Sequence, residues 1–246
     1  MTLTTITYLD GLVNFRDVGG MPAGEGAIAP GVLYRSEGLA SLSDEGRREL
    51  ADCAIGTVVD FRSEAEVAHS PGLAVDSKRP ALVSMPLLDG AVPLGGGRLP
   101  TLDGIYLELV QQAGDRFARL ASIIATSDDA VLVHCTAGKD RTGVGVALVL
   151  LAVGADRDAV TADYLATTAN LTGEWTERML GAARQMGAEV TPELVALVNG
   201  TSAEALGAAL DWVEQEHGSV DKYLLAHGLA ADRLVRLRER LTVAAD

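Results

Sequence analysis

A cysteine and an arginine stand six residues apart in the stretch HCTAGKDRTG, residues 134–143. A thiolate is a strong nucleophile, and a guanidinium binds two oxygens of a phosphate group with its planar fork. Cys135 and Arg141 therefore suggest attack on a phosphate ester, a phosphocysteine intermediate and an arginine that binds more tightly as charge develops. The pair alone is a weak signal, because chance supplies it in under about one case in five for a chain of this composition.

The surrounding residues strengthen this interpretation. An apolar run at 131–134 predicts a buried strand, and an apolar helix begins near Thr142. A loop that enters a helix N-terminus directs several backbone N–H groups at one point, and the helix dipole reinforces them. These groups would bind a phosphate and stabilise the thiolate of Cys135. We predict that the phosphate is bound by Thr136, Ala137, Gly138, Lys139, Asp140 and Arg141.

Three neighbours of Cys135 have predicted roles of their own. The hydroxyl of Thr142 would hydrogen-bond the thiolate and help it leave when the phosphocysteine is hydrolysed, and His134 would order the loop through its backbone. Lys139 adds a second cation, which suits substrates with more than one anionic group; the alternative is a solvated charge at the rim. The other cysteine, Cys53, has no arginine six residues on, so we interpret it as a core residue.

The elements that position this loop follow from the apolar pattern. Short, partly β-branched runs predict strands at 32–35, 57–61, 82–86 and 131–134. Helical patterns lie between them: Ser43 predicts the start of a helix, and four apolar residues share one helix face, namely Phe117, Leu120, Ala121 and Ile124. Strands that alternate with helices predict an α/β fold with a mostly parallel central sheet of four or five strands flanked by helices.

The second half of the chain predicts helical additions to that sheet. From residue 158 onward the pattern is helical, and it is broken near four glycines: Gly173, Gly187, Gly200 and Gly218. The stretch 91–102 is rich in Gly and Pro and predicts a loop. We see no internal repeat and expect one domain over residues 1–246.

The composition excludes several classes of function. The chain of 246 residues has a formal net charge of −14, which argues against binding to nucleic acid or to a membrane surface. Its two cysteines show no zinc spacing, and we expect neither a metal nor an organic cofactor. No signal peptide is visible, and the apolar run at 144–153 is too short to span a bilayer. We therefore expect a cytoplasmic protein without an integral membrane segment.

The motifs resemble a known family. HCTAGKDRTG is similar to the signature loop of the cysteine-dependent tyrosine and dual-specificity phosphatases, and its Lys-Asp pair resembles bacterial tyrosine/lipid phosphatases of the mycobacterial type. Four further motifs match that pattern in order and spacing: NFRDVGG at 14–20, LYRSEGL at 33–39, VVDFRSEAEV at 58–67 and GSVDKYLLAHGL at 218–229. The resemblance implies a protein tyrosine phosphatase-like fold. Residues 163–205 resemble the segment that forms a helical lid in that family, and the alternative is a plain packed helical layer. The long acidic insertion of some relatives is replaced by the short loop at 91–102.

Expulsion of the leaving group requires a general acid, for which two candidates stay open. Asp89 matches the position that serves this purpose in the resembling family. Asp140, inside the loop, is the rival, since a carboxyl group beside bound phosphate favours protonation. Asp60 is better interpreted as a structural partner of Arg62. Other polar residues would position the loop or substrate, or serve as hydrogen-bonded scaffold: Asn14, Arg16, Arg35 and Arg62.

Three hypotheses of function follow. The first is a protein tyrosine phosphatase that acts on phosphotyrosine proteins. The second is a phosphoinositide or dual-specificity phosphatase with the same chemistry, in which Lys139 recognises additional phosphates. The third, a non-catalytic phosphate-binding module or a sulfur-transferase-like protein, is disfavoured because a binding module needs no nucleophile. The sequence leaves open the physiological substrate, the oligomeric state and export by a route that needs no signal peptide.

Overall fold

The computed structural model describes residues 8–73, 80–88 and 99–244. In chain order the strands are β1 (Arg16–Asp17), β2 (Pro22–Ala23), β3 (Gly26–Ile28), β4 (Leu33–Ser36), β5 (Ile55–Asp60), β6 (Ala81–Ser84), β7 (Ala130–His134) and β8 (Thr242–Ala244). The helices are α1 (Asp44–Asp52), α2 (Glu64–His69), α3 (Leu102–Gln112), α4 (Gly114–Thr126), α5 (Asp140–Ala152), α6 (Arg157–Leu171), α7 (Glu174–Gln185), α8 (Pro192–Asn199), α9 (Ala203–His217), α10 (Val220–Ala226) and α11 (Ala231–Leu241). A short 3₁₀ helix covers Leu39–Ser41.

The central sheet has five strands in the order β1-β4-β7-β5-β6. Strands β4, β7, β5 and β6 are parallel, and only β1 at the edge runs antiparallel to its neighbour. This arrangement confirms the predicted α/β fold with a mostly parallel sheet. The register pairs Ser36 with His134 and His134 with Asp60, so the carboxyl ends of the three inner strands meet at one edge. Ligand sites of open α/β sheets lie at this edge.

Apolar side chains cover both faces of the sheet because alternate residues of a strand point to opposite sides. Val131 and Val133 join the larger core, whereas Leu132 between them joins the smaller core under α1. On β5, Val59 and Val58 divide in the same way. Strand β7 is buried along its whole length, which explains why its sequence is a continuous apolar run.

Several local predictions are confirmed. Ser43 caps α1, its side chain accepting from the backbone N–H of Gly46 at 3.0 Å. The predicted helix face lies on α4, and all four of its residues are buried: Phe117, Leu120, Ala121 and Ile124. Helix α5 begins two residues earlier than predicted, at Asp140, and neighbouring helices bury nearly all of it. Within the described residues no helix is both long enough and apolar enough to cross a membrane.

The C-terminal half is helical with interruptions close to the predicted glycines. Gly173 and Gly200 flank α7 and α8, and Gly218 ends α9 in the left-handed conformation at φ 82°. Helices α7 and α8 form a small apolar core of their own around Leu180 and Leu194. We call these two helices the α7–α8 pair, residues 174–199.

A second sheet of three short strands, in the order β2-β3-β8, was not predicted. It pairs residues near the two ends of the described chain, since Ile28 lies opposite Thr242. Strands of two or three residues are too short to show an alternating pattern, so the sequence carries no signal for them. The predicted loop at 91–102 lies largely outside the described residues, and α3 begins at its end, with Thr101 as cap.

Candidate active site

Strand β7 delivers Cys135 to the carboxyl edge of the sheet. The cysteine follows His134 directly, and α5 begins five residues later at Asp140. We call residues 135–141 the Cys135 loop. Its position between a buried strand and a buried helix agrees with the strand–loop–helix layout that the sequence predicts. The side chain of Cys135 is only 2% exposed, so the sulfur lies at the base of the loop.

The carbonyl groups of the Cys135 loop accept hydrogen bonds from residues outside the loop. Three successive carbonyl oxygens accept hydrogen bonds from the scaffold: Thr136 from the Gly38 N–H at 3.0 Å, Ala137 from the Asn14 amide at 2.9 Å and Gly138 from the Arg35 guanidinium at 2.8 Å. No hydrogen bond within the described residues uses the N–H groups of residues 136–139. Because the carbonyls are held on the scaffold side, the loop can offer these N–H groups to an anion.

Gly138 allows the loop to pack this closely. Its φ is +66°, a conformation that other residues rarely adopt. A Cβ atom at this position would lie 2.2 Å from the carbonyl oxygen of Ser36 and 2.6 Å from the nitrogen of Glu37. Any side chain at position 138 would therefore push the Cys135 loop away from the end of β4.

Arg141 is held by a carboxylate that the sequence analysis did not single out. Its guanidinium donates to both carboxylate oxygens of Glu66, at 2.7 and 2.6 Å, and to the carbonyl oxygen of Phe61 at 3.2 Å. Such a bidentate pair fixes both the position and the plane of a guanidinium. Burial works against the charge of Arg141, but Glu66 outweighs it, so the pKa of Arg141 lies above its usual value.

Glu66 has a second role, as the capping residue of α2. It accepts from the Ser63 N–H at 2.8 Å, while the Ser63 hydroxyl accepts from the Glu66 N–H. The Thr136 hydroxyl also donates to Glu66, at 2.5 Å, which joins this cap to the Cys135 loop. Burial opposes ionisation of Glu66, but Arg141 and these donors outweigh it and lower its pKa from 4.5 to about 2. The spacing Ser63-x-x-Glu66 is a capping-box signal, from which the sequence could have drawn attention to Glu66.

His134 and Asp60 lie behind the loop. The Nδ1 atom of His134 is 3.3 Å from the carbonyl oxygen of Cys135, a contact with loop backbone of the kind the sequence suggests. Its Nε2 atom is 3.7 Å from Asp60. Asp60 is held by the guanidinium of Arg62 at 2.8 and 3.0 Å, so it pairs structurally, in agreement with our interpretation. Burial lowers the pKa of His134, which favours the neutral imidazole.

The scaffold beneath the loop contains a buried charge network. Asp163 accepts from Arg16 and from Arg35, both at 2.6 Å. Burial raises the pKa of Asp163, but the two guanidinium groups more than compensate and lower it overall. Arg35, only 1% exposed, thus binds Asp163 with one nitrogen and the Gly138 carbonyl with another. Asn14 and Arg35 thus hold the loop directly. Arg16 and Arg62 bind the scaffold residues Asp163 and Asp60.

Lys139 does not lie on a solvated rim. Its side chain is fully buried, and its Nζ atom donates to the carbonyl oxygen of Leu197 at 2.6 Å and that of Val198 at 3.4 Å. Both carbonyls belong to the last turn of α8, where a helix has unsatisfied acceptors. The Nζ atom is also 3.6 Å from a carboxylate oxygen of Asp140. Lys139 therefore joins the Cys135 loop to the α7–α8 pair.

Of the two candidate acids, the structure places one. Asp140 opens α5 beside the loop, is 27% exposed and accepts from the hydroxyl of Tyr106 at 2.7 Å. Asp89 lies outside the described residues. Thr142 is fully buried, and its hydroxyl has no hydrogen-bond partner among the described residues.

The second cysteine, Cys53, lies away from the Cys135 loop. Cys53 lies at the C-terminal cap of α1, inside the smaller core. Burial, with the nearby charge of Asp52, raises the pKa of its thiol to about 11. The surroundings of Cys53 thus disfavour a thiolate, in agreement with its interpretation as a core residue.

The chain is similar to known proteins over most of its length. A family model described as the tyrosine phosphatase family matches residues 7–243. The "Triple specificity protein phosphatase PtpB" of Mycobacterium tuberculosis is 33% identical over an alignment 273 positions long. The alignment covers 95% of this chain and 98% of the relative. A "Tyrosine-protein phosphatase" of Nostoc commune is 27% identical and covers 87% of this chain and 76% of its own length. The solved structure of P. aeruginosa TpbA aligns with 70% of this chain and 88% of its own, with 20% identity and a TM-score of 0.32.

Proposed function

Because the chain belongs to the tyrosine phosphatase family, we propose that it hydrolyses phosphotyrosine in proteins through a phosphocysteine intermediate formed on Cys135. The observation that carries this proposal is the Cys135 loop itself. A buried sulfur lies at its base, its carbonyls are bound from behind, and its arginine is oriented by Glu66. A module that only binds phosphate would need the loop and the arginine but no nucleophile.

The first step transfers the phosphoryl group to the enzyme. The phosphate would accept hydrogen bonds from the N–H groups of residues 136–141 and from the guanidinium of Arg141. The Cys135 thiolate attacks phosphorus, the bond from phosphorus to the ester oxygen breaks, and that oxygen leaves with a proton from the general acid. Asp140 is the acid that the described residues supply beside the loop. Asp89 remains the rival candidate.

The second step regenerates the thiolate. Water attacks the phosphocysteine, the S–P bond breaks, and inorganic phosphate leaves while the acid of the first step accepts a proton from the water. A thiolate leaves more readily when a donor stabilises it. We propose Thr142 for this role because its buried hydroxyl has no hydrogen-bond partner among the described residues, Cys135 included, and is therefore available as a donor.

Burial of the nucleophile favours tyrosine over serine substrates. With Cys135 only 2% exposed, a phosphate group must enter the loop fully before the sulfur can attack it. A phosphotyrosine ring extends farther from its own backbone than a phosphoserine side chain does. We therefore propose that phosphotyrosine is hydrolysed faster than phosphoserine.

A broader specificity is the second candidate. The name of the mycobacterial relative states triple specificity, and a substrate with a second phosphate, such as a phosphoinositide, would need a second cation. Lys139 is the candidate that the sequence singles out for it, but its ammonium group is bound by α8. Recognition of a second phosphate by Lys139 therefore requires that its bonds to Leu197 and Val198 break.

We further propose that the lid predicted at 163–205 is centred on the α7–α8 pair. Two observations support this refinement: the pair has its own small core, and a buried lysine of the Cys135 loop binds its end. A segment with a separate core can move as a unit, and such motion gates access to many active sites.

A free thiol at the nucleophile also bears on localisation. Both cysteines are free in the structure, and a thiolate nucleophile is preserved best where thiols stay reduced. We therefore propose a cytoplasmic enzyme formed as one phosphatase domain over residues 1–246. Fractionation of the native host, with blotting of each compartment, tests the location.

Substitution of the nucleophile tests the proposed function. Cys135→Ser should lower kcat on phosphotyrosine peptides by at least about 10⁴-fold, since an uncharged hydroxyl replaces a thiolate, while phosphate still binds. Cys53→Ser is the matched control and should retain kcat. Initial rates on phosphotyrosine, phosphoserine and phosphoinositide panels, measured with one preparation, rank the substrate classes. Full turnover by Cys135→Ser would contradict the mechanism.

A further inference from the structure

A row of buried hydroxyl groups leads to Asp140. The hydroxyl of Tyr106 on α3 donates to a carboxylate oxygen of Asp140 at 2.7 Å. The hydroxyls of Tyr106 and Tyr164 are 2.6 Å apart, and the backbone N–H of Ser202 donates to the Tyr164 oxygen at 3.1 Å. Both tyrosine side chains are fully buried. The hydrogen bond between the two hydroxyls is buried, and the hydrogen bonds at the two ends of the row are partly buried.

The two ends of the row set its direction. A backbone N–H can only donate, and an ionised carboxylate can only accept. Each hydroxyl has one proton, so Tyr164 donates to Tyr106 and Tyr106 donates to Asp140. Hydrogen bonds that point the same way polarise one another in a low-dielectric interior. Tyr106 is thus a stronger donor to Asp140 than an isolated phenol would be.

From this arrangement we infer that Tyr106 is a positioning residue for the general acid, with Tyr164 as its support. The inference rests on the proposed function and assigns the acid role to Asp140 rather than to Asp89. The Tyr106 hydroxyl holds one carboxyl oxygen, which leaves the other to face the substrate.

Other charged or titratable groups also lie close to Asp140. Lys139 lies 3.6 Å away on the loop, and the guanidinium of Arg141 on α5 is close enough to interact with its charge. Among the described residues, Tyr164 on α6 also interacts with its charge. Both cations have partners of their own, Leu197 for Lys139 and Glu66 for Arg141. Removal of one tyrosine hydroxyl therefore leaves them in place.

The pH dependence of catalysis tests the inference. Asp140 must be protonated to act as an acid, so the rate falls on the basic side where it loses its proton. In Tyr106→Phe the carboxylate loses its donor and holds its proton to higher pH. We expect the basic limb of kcat/KM for phenyl phosphate, which has a poor leaving group, to move up by about one pH unit. Tyr164→Phe should move it in the same direction by less.

Tyr223→Phe is the matched control. Tyr223 is also fully buried, and its hydroxyl donates to the carbonyl oxygen of Val110 at 2.7 Å, away from the Cys135 loop. This variant should lose thermal stability comparably to Tyr106→Phe and leave the pH profile unchanged. Asp140→Asn should abolish the basic limb. If Tyr106→Phe fails to fold, the shift of the basic limb in Tyr164→Phe tests the positioning role by itself.

The outcomes separate this inference from the proposed function. An unmoved basic limb in the tyrosine variants, with activity retained, overturns the positioning role. A basic limb that persists in Asp140→Asn overturns the assignment of the acid, while the phosphocysteine mechanism stands. Only a wild-type protein without phosphatase activity, or an active Cys135→Ser variant, removes the proposed function as well.

Discussion

Arg141 and Lys139 are two cations of one loop, yet they bind different kinds of partner. Arg141 forms a bidentate pair with the carboxylate of Glu66, which belongs to a capped helix at the sheet edge. Lys139 donates to the carbonyl groups of Leu197 and Val198, at the end of a helix pair with a small separate core.

The difference shows that one loop can hold its two cations in different ways. A carboxylate compensates the charge of Arg141 and fixes its plane, so the guanidinium is ready to receive a phosphate. Lys139 is held by carbonyl dipoles at a helix C-terminus, and its Nζ atom also lies 3.6 Å from the Asp140 carboxylate. Movement of the α7–α8 pair would therefore expose a charged ammonium group beside the substrate, whereas Arg141 would keep its place.

Loss of the Glu66 charge should give the largest effect. Glu66→Gln removes the bidentate partner of Arg141 and weakens the anchor of Thr136, so both ends of the Cys135 loop lose their orientation. We expect kcat/KM on an aryl phosphate to fall by about 100-fold. Steady-state kinetics with the purified variant measures this fall in kcat/KM.

The neighbouring glutamate supplies the control. Glu64 lies on the same helix and is exposed, so Glu64→Gln should leave kcat/KM near that of the wild type. Equal activity of the Glu66 variant would show that Arg141 needs no fixed partner, and the contrast between the two cations would disappear.

Removal of the Lys139 ammonium group should lower the catalytic rate less than Glu66→Gln does. Its larger effect should be on the motion of α8. Lys139→Met deletes the donor to Leu197, so amide hydrogen exchange in α8 should accelerate by about tenfold. We expect kcat on an aryl phosphate to change by less than about tenfold, since Arg141 still binds the phosphate. Lys222→Met, at an exposed lysine of α10, is the control. Unchanged exchange in α8 would mean that Lys139 does not hold the pair.

Protonation of Glu66 at low pH should give the smallest of the three predicted effects. The pKa of Glu66 is lowered from 4.5 to about 2, so its contribution to stability is present above about pH 4.5 and is lost as the pH falls towards about 2. The wild type should therefore lose more thermal stability across this window than Glu66→Gln does. Melting curves of both proteins at several acidic pH values make the comparison. Parallel losses would show that Glu66 contributes no pH-dependent stability.

Much of the fold could be predicted because its signals are local. The run at 131–134 is continuously apolar since β7 is buried on both faces, and the helix face that contains Phe117 has the helical period. The cap at Ser43 is a side-chain contact within one turn. The β2-β3-β8 sheet could not be predicted, because its short strands come from distant parts of the chain.

The local sequence is enough to propose the chemistry of this protein, because a cysteine, an arginine and a glycine-containing loop lie within ten residues and need no distant partner to be recognised. The residues that hold those groups in place become visible only in the tertiary structure. Glu66 reaches Arg141 across 75 positions and Tyr106 reaches Asp140 across 34. Neither contact has a local pattern, since each arises where separate helices meet the carboxyl edge of one sheet. Burial makes these contacts strong, and burial at that edge is a property of the packed chain.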